Sequence, residues 1–197
     1  MRCKWIPHRL TPQQKSKRKN VCLQLLAKHR RGRLLSNLIT CDESWVYYDG
    51  TVKGIVWRKS GEQTAMVARP STHQKKRMLC IFWTMRGPVH WELLPRGVSV
   101  TSDVYCQQLN QVDLAIRVWR SNNLFNGPVI FQDDNAPPHR SQQTSHLVSD
   151  TLGWQTVPHP PYSPDLAPSD FHLFRSLKCF LRNRQKTMRS RQRSGST

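Results

Sequence analysis

The sequence predicts an α/β fold, a mixed β-sheet with helices on its faces. Short apolar runs typical of buried strands alternate along the chain with longer segments that have an apolar side, typical of helices. The link at residues 85–87 is short enough to join two of the strand-like runs as an antiparallel hairpin. The length of 197 residues suits one such domain with flanking segments.

The elements follow in order from local signals. Thr11 can cap a first helix over 11–31, and Pro12 suits its first turn. Apolar and aromatic runs then predict strands at 38–48, 54–58, 77–84, 88–94, 129–131 and 154–157, with Trp45, Trp83 and Trp91 expected in the core. Helices are predicted at 102–121 and 141–152, and Ser169 is expected to cap the last one.

The charge of the chain indicates a polyanionic partner. Lys and Arg number 31 against 12 Asp and Glu, a net charge of +19, and the basic residues recur along the chain. Such a surface attracts nucleic acid by counterion release, whatever its sequence, although a basic structural protein would share this composition. The chain has no apolar run long enough to span a membrane, and its six cysteines form no C-x-x-C pair, which favours a reducing compartment without a zinc site.

Three aspartates stand in settings that suit a metal site. Asp42 lies in a strand-like run, Asp134 follows a short apolar run, and Asp170 opens the predicted last helix. Carboxylates that meet at one sheet edge need a cation, and hard divalent ions such as Mg²⁺ or Mn²⁺ suit oxygen ligands. Each aspartate alone also fits a turn or helix-start role. Asp165 competes with Asp170, and Asp133 is expected to face away from Asp134.

Several motifs, in order along residues 4–182, resemble the catalytic part of mariner-family transposases. They are Trp-Ile-Pro-His (5–8), Thr-Cys-Asp-Glu-Ser-Trp (40–45), Met-Leu-Cys-Ile-Phe-Trp (78–83), Asp-Asn-Ala-Pro-Pro-His (134–139), Pro-Tyr-Ser-Pro-Asp-Leu-Ala-Pro-Ser-Asp (161–170) and His-Leu-Phe (172–174). The resemblance implies a ribonuclease-H-like fold, as in DDE/D transposase cores. It also implies that Asp42, Asp134 and Asp170 bind two Mg²⁺ or Mn²⁺ ions and catalyse DNA cleavage and transfer. Apart from the resemblance, His139 could be a further ligand, but it is expected to pack near the site.

The composition of each segment and the resemblance together predict the organisation and setting of the chain. Residues 1–33 would form a linker and a basic helix, residues 34–182 the catalytic domain with an exposed loop at 60–76, and residues 183–197 a basic disordered tail. The expected partners are DNA and a second copy of the chain in an active complex, in the nucleus, with no membrane or small-molecule substrate.

The family's helix-turn-helix modules do not precede residue 5, Arg9 replaces a usual acid, and the tail departs from the family pattern. The chain is therefore interpreted as a truncated copy of such an element. The alternative is an inactive or domesticated DNA-binding remnant, as in a SET-domain–transposase fusion.

Overall fold

The computed structural model describes residues 9–32, 34–47 and 76–181. Four sequence predictions lie outside these ranges: the linker motif at 5–8, the strand at 54–58, nearly all of the loop at 60–76 and the tail at 183–197.

The described strands form one mixed sheet in the order β3-β2-β1-β4-β5. They are β1 (Leu38–Tyr47), β2 (Lys76–Thr84), β3 (Gly87–Leu93), β4 (Ile130–Gln132) and β5 (Gln155–Thr156). The first three pair antiparallel, which confirms the predicted β2–β3 hairpin, whereas β4 runs parallel to β1 and β5 runs parallel to β4. The carboxyl ends of β1, β4 and β5 therefore point toward the same edge of the sheet.

The helices begin and end close to where their local signals place them. They are α1 (Pro12–Arg30), α2 (Leu34–Asn37), α3 (Ser102–Ser121), α4 (Gln142–His146, extended by a π-helical turn at Leu147–Thr151) and α5, which is π-helical at Ser169–Phe174 and α-helical to residue 181. The side chain of Thr11 accepts a bond from the N–H of Gln14, whose own side chain accepts from the N–H of Thr11, so that a capping box starts α1.

The two faces of the sheet carry separate apolar clusters, because neighbouring residues of a strand point in opposite directions. Ile39 and Phe131 belong to the larger cluster, in which residues of α3 such as Leu109 are fully buried. Leu38 and Ile130, one position earlier on the same strands, pack in the smaller cluster with Leu25 of α1. Helices α1 and α3 therefore lie on opposite faces of the sheet.

None of the three tryptophans predicted to lie in the core is fully buried. Trp45 and Trp83 are partly buried, but Trp91 is 62% exposed, and its assignment to the core was wrong. Trp91 lies on β3, the edge strand of the described sheet, and none of the described residues covers most of its side chain. None of the helices within the described residues is long and apolar enough to cross a membrane.

Candidate functional site

The parallel pairing of β1 with β4 brings Asp42 and Asp134 to the same level along the two strands, just beyond the end of the β1–β4 ladder. Thr40 is opposite Gln132, the last pair of that ladder. Asp42 lies two residues beyond Thr40, and Asp134 lies two residues beyond Gln132. The two aspartates therefore follow the last pair of the ladder by the same number of residues. Both side chains are partly buried.

Asp170 enters from α5, which is held against the sheet by a tryptophan of β2. The indole Nε1 of Trp83 donates to the hydroxyl of Ser169 at 3.0 Å, and the His172 ring stacks on the indole at a centroid distance of 5.9 Å. The predicted capping role of Ser169 was wrong, because its buried side chain is turned toward Trp83 and Pro168 occupies the cap position without a side-chain bond. Asp170 itself is exposed, and its N–H donates to the carbonyl of Ala167.

The three aspartates lie within electrostatic reach of one another. Burial, followed by the charge of Asp170 and a smaller effect of Asp134, raises the pKa of Asp42 to about 7. Burial also raises the pKa of Asp170, against the opposing charges of Lys178 and His159 and with a contribution from Asp134. Mutual repulsion of this kind is what a bound cation would relieve.

Within the described residues, no three His, Cys, Asp or Glu side chains stand close enough together to form a closed set of metal ligands. Asp42, Asp134 and Asp170 supply carboxylate oxygens, which are the ligands that suit a hard divalent ion. In the described structure, however, their carboxylates are too far apart to form one ligand set. Metal binding by Asp42, Asp134 and Asp170 stays a prediction.

His139 lies between two acids from different parts of the sheet. Its side chain is 1% exposed; Nδ1 lies 2.7 Å from Oδ1 of Asp134, and Nε2 lies 3.3 Å from Oε1 of Glu43. The geometry is that of an ion pair and not of aligned hydrogen bonds, since neither Nδ1 nor Oε1 has a well-directed partner in the described structure. The ring also stacks on Tyr105 of α3, with centroids 4.1 Å apart.

The protonation of this pair follows from those contacts. Burial lowers the pKa of His139, but the contacts with Asp134 and Glu43 outweigh it and raise the pKa to about 10. Burial likewise raises the pKa of Asp134, whereas His139 and the N–H of Ala136, which donates to Oδ1 at 2.9 Å, bring it below its usual value. His139 therefore packs beside the site as a cation that keeps Asp134 ionised. Glu43 was not singled out by the sequence, where its only signal was its position next to Asp42.

The two competing acids each have an arginine partner. Asp133 is buried and lies 2.6 Å from Nη2 of Arg140; burial, against the opposing charges of Arg140 and His139, raises its pKa to about 6. Asp165 accepts from both terminal nitrogens of Arg18 on α1, with Nη1 at 2.7 Å from Oδ1, and the pKa of Asp165 is lowered by that arginine. The side chain of Asp165 is thus engaged with α1.

The loop at 157–166 is tied to the end of β4 by two amide side chains. Nδ2 of Asn135 donates to the carbonyl of His159 at 2.9 Å, and Nε2 of Gln132 donates to the carbonyl of Leu166 at 2.8 Å. His159 lies near both Asp134 and Asp170: burial lowers its pKa, and the two aspartates oppose that change. These contacts join the segment that leads to Asp170 with the strand that leads to Asp134, and no local sequence signal indicated them.

A family model and two curated proteins resemble this chain. The model described as "Transposase (partial DDE domain)" matches residues 47–124. The Mariner Mos1 transposase of Drosophila mauritiana is 38% identical over 175 residues, which are 88% of this chain and 50% of that protein. The Histone-lysine N-methyltransferase SETMAR of Homo sapiens is 34% identical over 183 residues, which are 92% of this chain and 26% of that protein. The chain thus spans half or less of these curated relatives.

Solved structures agree with the predicted fold. The crystal structure of the catalytic domain of Mos1 mariner transposase is 35% identical, with a TM-score of 0.71 and coverage of 90% of this chain and 76% of that one. The crystal structure of the Mos1 mariner paired end complex with Mn is 36% identical, with a TM-score of 0.79 and coverage of 92% of this chain and 53% of that one. The ribonuclease-H-like mixed sheet is thereby confirmed.

Proposed function

We propose, from the premise that this chain belongs to the mariner family of transposases, that it cleaves and transfers DNA strands with the help of divalent metal ions. The observation that carries the proposal is the placement of Asp42 and Asp134 at the same level on adjacent parallel strands, two residues beyond the last pair of the β1–β4 ladder. Burial of Asp42 raises its pKa to about 7, and the charges of Asp170 and, less strongly, Asp134 add to that rise, so the three carboxylates lie within electrostatic reach of one another.

In this proposal Asp42, Asp134 and Asp170 hold two Mg²⁺ or Mn²⁺ ions. The matched Mos1 paired end complex contains Mn, which supports a divalent ion for this chain as well. Bound there, such ions would neutralise charge on the phosphate group and activate the attacking oxygen. The three carboxylates would have to move together on binding, and the exposed position of Asp170 at the start of α5 gives it the most freedom to do so.

The surrounding residues would set the position of the three acids. Nδ1 of His139, whose ring stacks on Tyr105, lies next to Oδ1 of Asp134. The N–H of Ala136 donates a hydrogen bond to the same oxygen. The other oxygen of Asp134 would then be the one that faces an ion. Trp83, through Ser169, fixes the start of α5 against β2 and with it the direction from which Asp170 approaches.

The proposed partners are DNA and a second copy of the chain. The net charge of +19 suits a polyanion, and the similarity to a paired end complex supports an assembly in which two subunits hold two DNA ends. Work on chromosomal DNA would place the chain in the nucleus.

The test is nicking of supercoiled plasmid by the purified chain with Mg²⁺ or Mn²⁺, compared with the Asp134→Ala variant. Asp150→Ala is a matched control, because Asp150 is an exposed acid on the π-helical turn after α4. Nicking that needs the ion, survives Asp150→Ala and disappears in Asp134→Ala is expected. Nicking that survives Asp134→Ala would point to a contaminating nuclease and contradict the proposal.

The second candidate function is DNA binding without strand cleavage. It is considered because SETMAR, which is 34% identical over 92% of this chain, is a relative whose name gives a different activity from strand transfer. The same experiment separates the two functions: the binding function predicts that duplex DNA is retained by the chain while supercoiled plasmid stays intact with either ion.

A further inference from the structure

Helix α1 carries charge of a single sign. Its sequence contains six Lys and Arg and no Asp or Glu, and its first turn has no acidic residue. Arg18 is engaged by Asp165. The other five, Lys15, Lys17, Lys19, Lys28 and Arg30, are all exposed, and we call these five residues the α1 cation track.

The five cations are exposed but do not share one side of α1: Lys17 and Lys28 border the docking face, four residues before and seven residues after Val21, and the others lie farther round the helix. The helix docks through Val21, which is buried, and Leu25, which packs in the cluster with Ile130 and Val157. Val21 and Leu25 are four residues apart and share one face of the helix. Lys15 and Lys19, also four residues apart, lie together on a different side of the helix.

Lys15 and Lys19 weaken the isolated helix, whereas Lys28 and Arg30 lie in its last turn, where cations interact favourably with the helix dipole. Like charges at i and i+4 destabilise a helix by roughly 0.2–0.5 kcal/mol per pair, and no acid in α1 compensates for Lys15 and Lys19. A cation near the amino end of a helix also opposes the helix dipole. The repulsion between Lys15 and Lys19 therefore opposes folding of the helix, and a bound polyanion would relieve that repulsion.

The cation track lies beside the candidate site. The Arg18–Asp165 ion pair joins α1 to the loop that ends at Asp170. Val21 and Lys28 also line a small cleft with Val157 and Pro158, the residues that follow β5 at the edge where Asp134 leaves β4. From there the chain continues to His159, whose pKa responds to both Asp134 and Asp170.

We propose that the α1 cation track binds the phosphate backbone of the DNA duplex whose strand reaches Asp42, Asp134 and Asp170. The inference rests on the proposed function and adds to it a defined, sequence-independent contact surface. Lysines on a helix supply point charges to phosphates without reading bases, so this contact would position the duplex and not select its sequence.

The test uses the full chain and a short duplex of random sequence, with binding followed by fluorescence anisotropy over a range of salt concentrations. The test variant is the double substitution Lys15→Gln, Lys19→Gln. The control is Arg86→Gln, Arg117→Gln, which removes the same charge from exposed residues away from α1. Arg86 lies in the β2–β3 turn, near the amino end of β1, and Arg117 lies on α3, on the other face of the sheet.

In the test variant, the slope of log affinity against log salt should become shallower by about 0.9 for each lost phosphate contact, or roughly 2 in total, while the control keeps the parent slope. The melting temperature of the test variant should be equal to or higher than that of the parent, because the repulsion is removed. Equal changes of slope in both variants, or a loss of binding to anionic lipid vesicles but not to DNA, would overturn the inference. A parent chain that binds no duplex even at low salt would instead overturn the proposed function.

Discussion

The indole of Trp83 donates a 3.0 Å hydrogen bond to the hydroxyl of Ser169, the residue immediately before Asp170. The bond spans two elements that are 86 residues apart in the chain, β2 and α5. It is the described contact by which a strand next to β1 sets the position of the helix that carries the third aspartate. The stability of α5 and the geometry of the site are therefore linked through one side chain.

Replacing Trp83 by Phe removes this donor and keeps an aromatic ring. We expect a loss of about 1 kcal/mol in the free energy of unfolding, the usual contribution of one hydrogen bond. We also expect weaker stabilisation by Mn²⁺ in a thermal-shift titration, because Asp170 is less well positioned. Trp91→Phe is the matched control, since Trp91 is exposed on the edge strand. If Mn²⁺ raises the melting temperature of Trp83→Phe as much as that of the parent, the hydrogen bond from Trp83 to Ser169 is not needed to position Asp170.

Replacing Asp42 by Asn should stabilise the metal-free protein at neutral and higher pH. The pKa of Asp42 is raised from 3.8 to about 7, so its contribution to stability is full below pH 3.8 and is lost as pH rises through about 7. Each kcal/mol regained in the variant should raise the melting temperature by roughly 2–4 °C for a domain of this size. Thermal melts between pH 4 and pH 8 measure the effect.

The acids around Asp42 are the same in the parent and in the Asn variant, so the difference between the two melting curves reports on Asp42. Asp170, Glu43 and Asp134 repel its charge, and all three remain in the Asn variant. Asp133, whose pKa is about 6, also remains and gives both proteins a residual slope in the same direction. Mn²⁺ should restore the stability of the parent and leave Asp42→Asn unchanged. A variant less stable than the parent at pH 8 without metal would contradict the assignment.

Replacing His139 by Ala should destabilise the domain, because it leaves Asp134 and Glu43 without their shared cation. A loss of about 2–3 kcal/mol is expected at pH 7, in the range found for charged groups deprived of a partner. The pKa of His139 is raised to about 10, so its contribution is full below pH 6.5 and is lost as pH rises through about 10. Denaturant unfolding at pH 7 and pH 10.5 should therefore show a smaller difference at the higher pH. His146→Ala, at an exposed position, should have little effect at either pH.

Replacing Asp165 or Asp170 by Asn should separate the two candidates for the third acid. Asp165 is engaged by Arg18 in an exposed ion pair, so Asp165→Asn should cost at most about 1 kcal/mol and should keep metal-dependent nicking. Asp170→Asn should abolish nicking and leave the fold intact. Plasmid nicking and thermal melts of the two variants provide the comparison, and the reverse pattern of activity would assign the third position to Asp165.

The sequence by itself determined the elements and most of their boundaries. The start of α1 depends on Thr11, Pro12 and Gln14, which act within one turn of each other. The β2–β3 hairpin depends on two apolar runs and the short link between them, and the burial of Cys41 and Cys80 follows from their place inside such runs. The helix start and the hairpin are interactions between residues close in the chain, and the apolar runs mark the positions that become buried, so periodicity and turn chemistry are sufficient to predict them.

The tertiary structure decided which side chains meet. The Arg18–Asp165 pair joins residues 147 positions apart. His139 reaches Glu43 only because β4 lies beside β1, and Ser169 points at Trp83 because α5 packs near β2. The exposure of Trp91 likewise depends on which elements pack against the sheet face at β3, a property of the packed chain. Such contacts form between distant elements once the chain has packed, so no local pattern could specify the partners around the three aspartates.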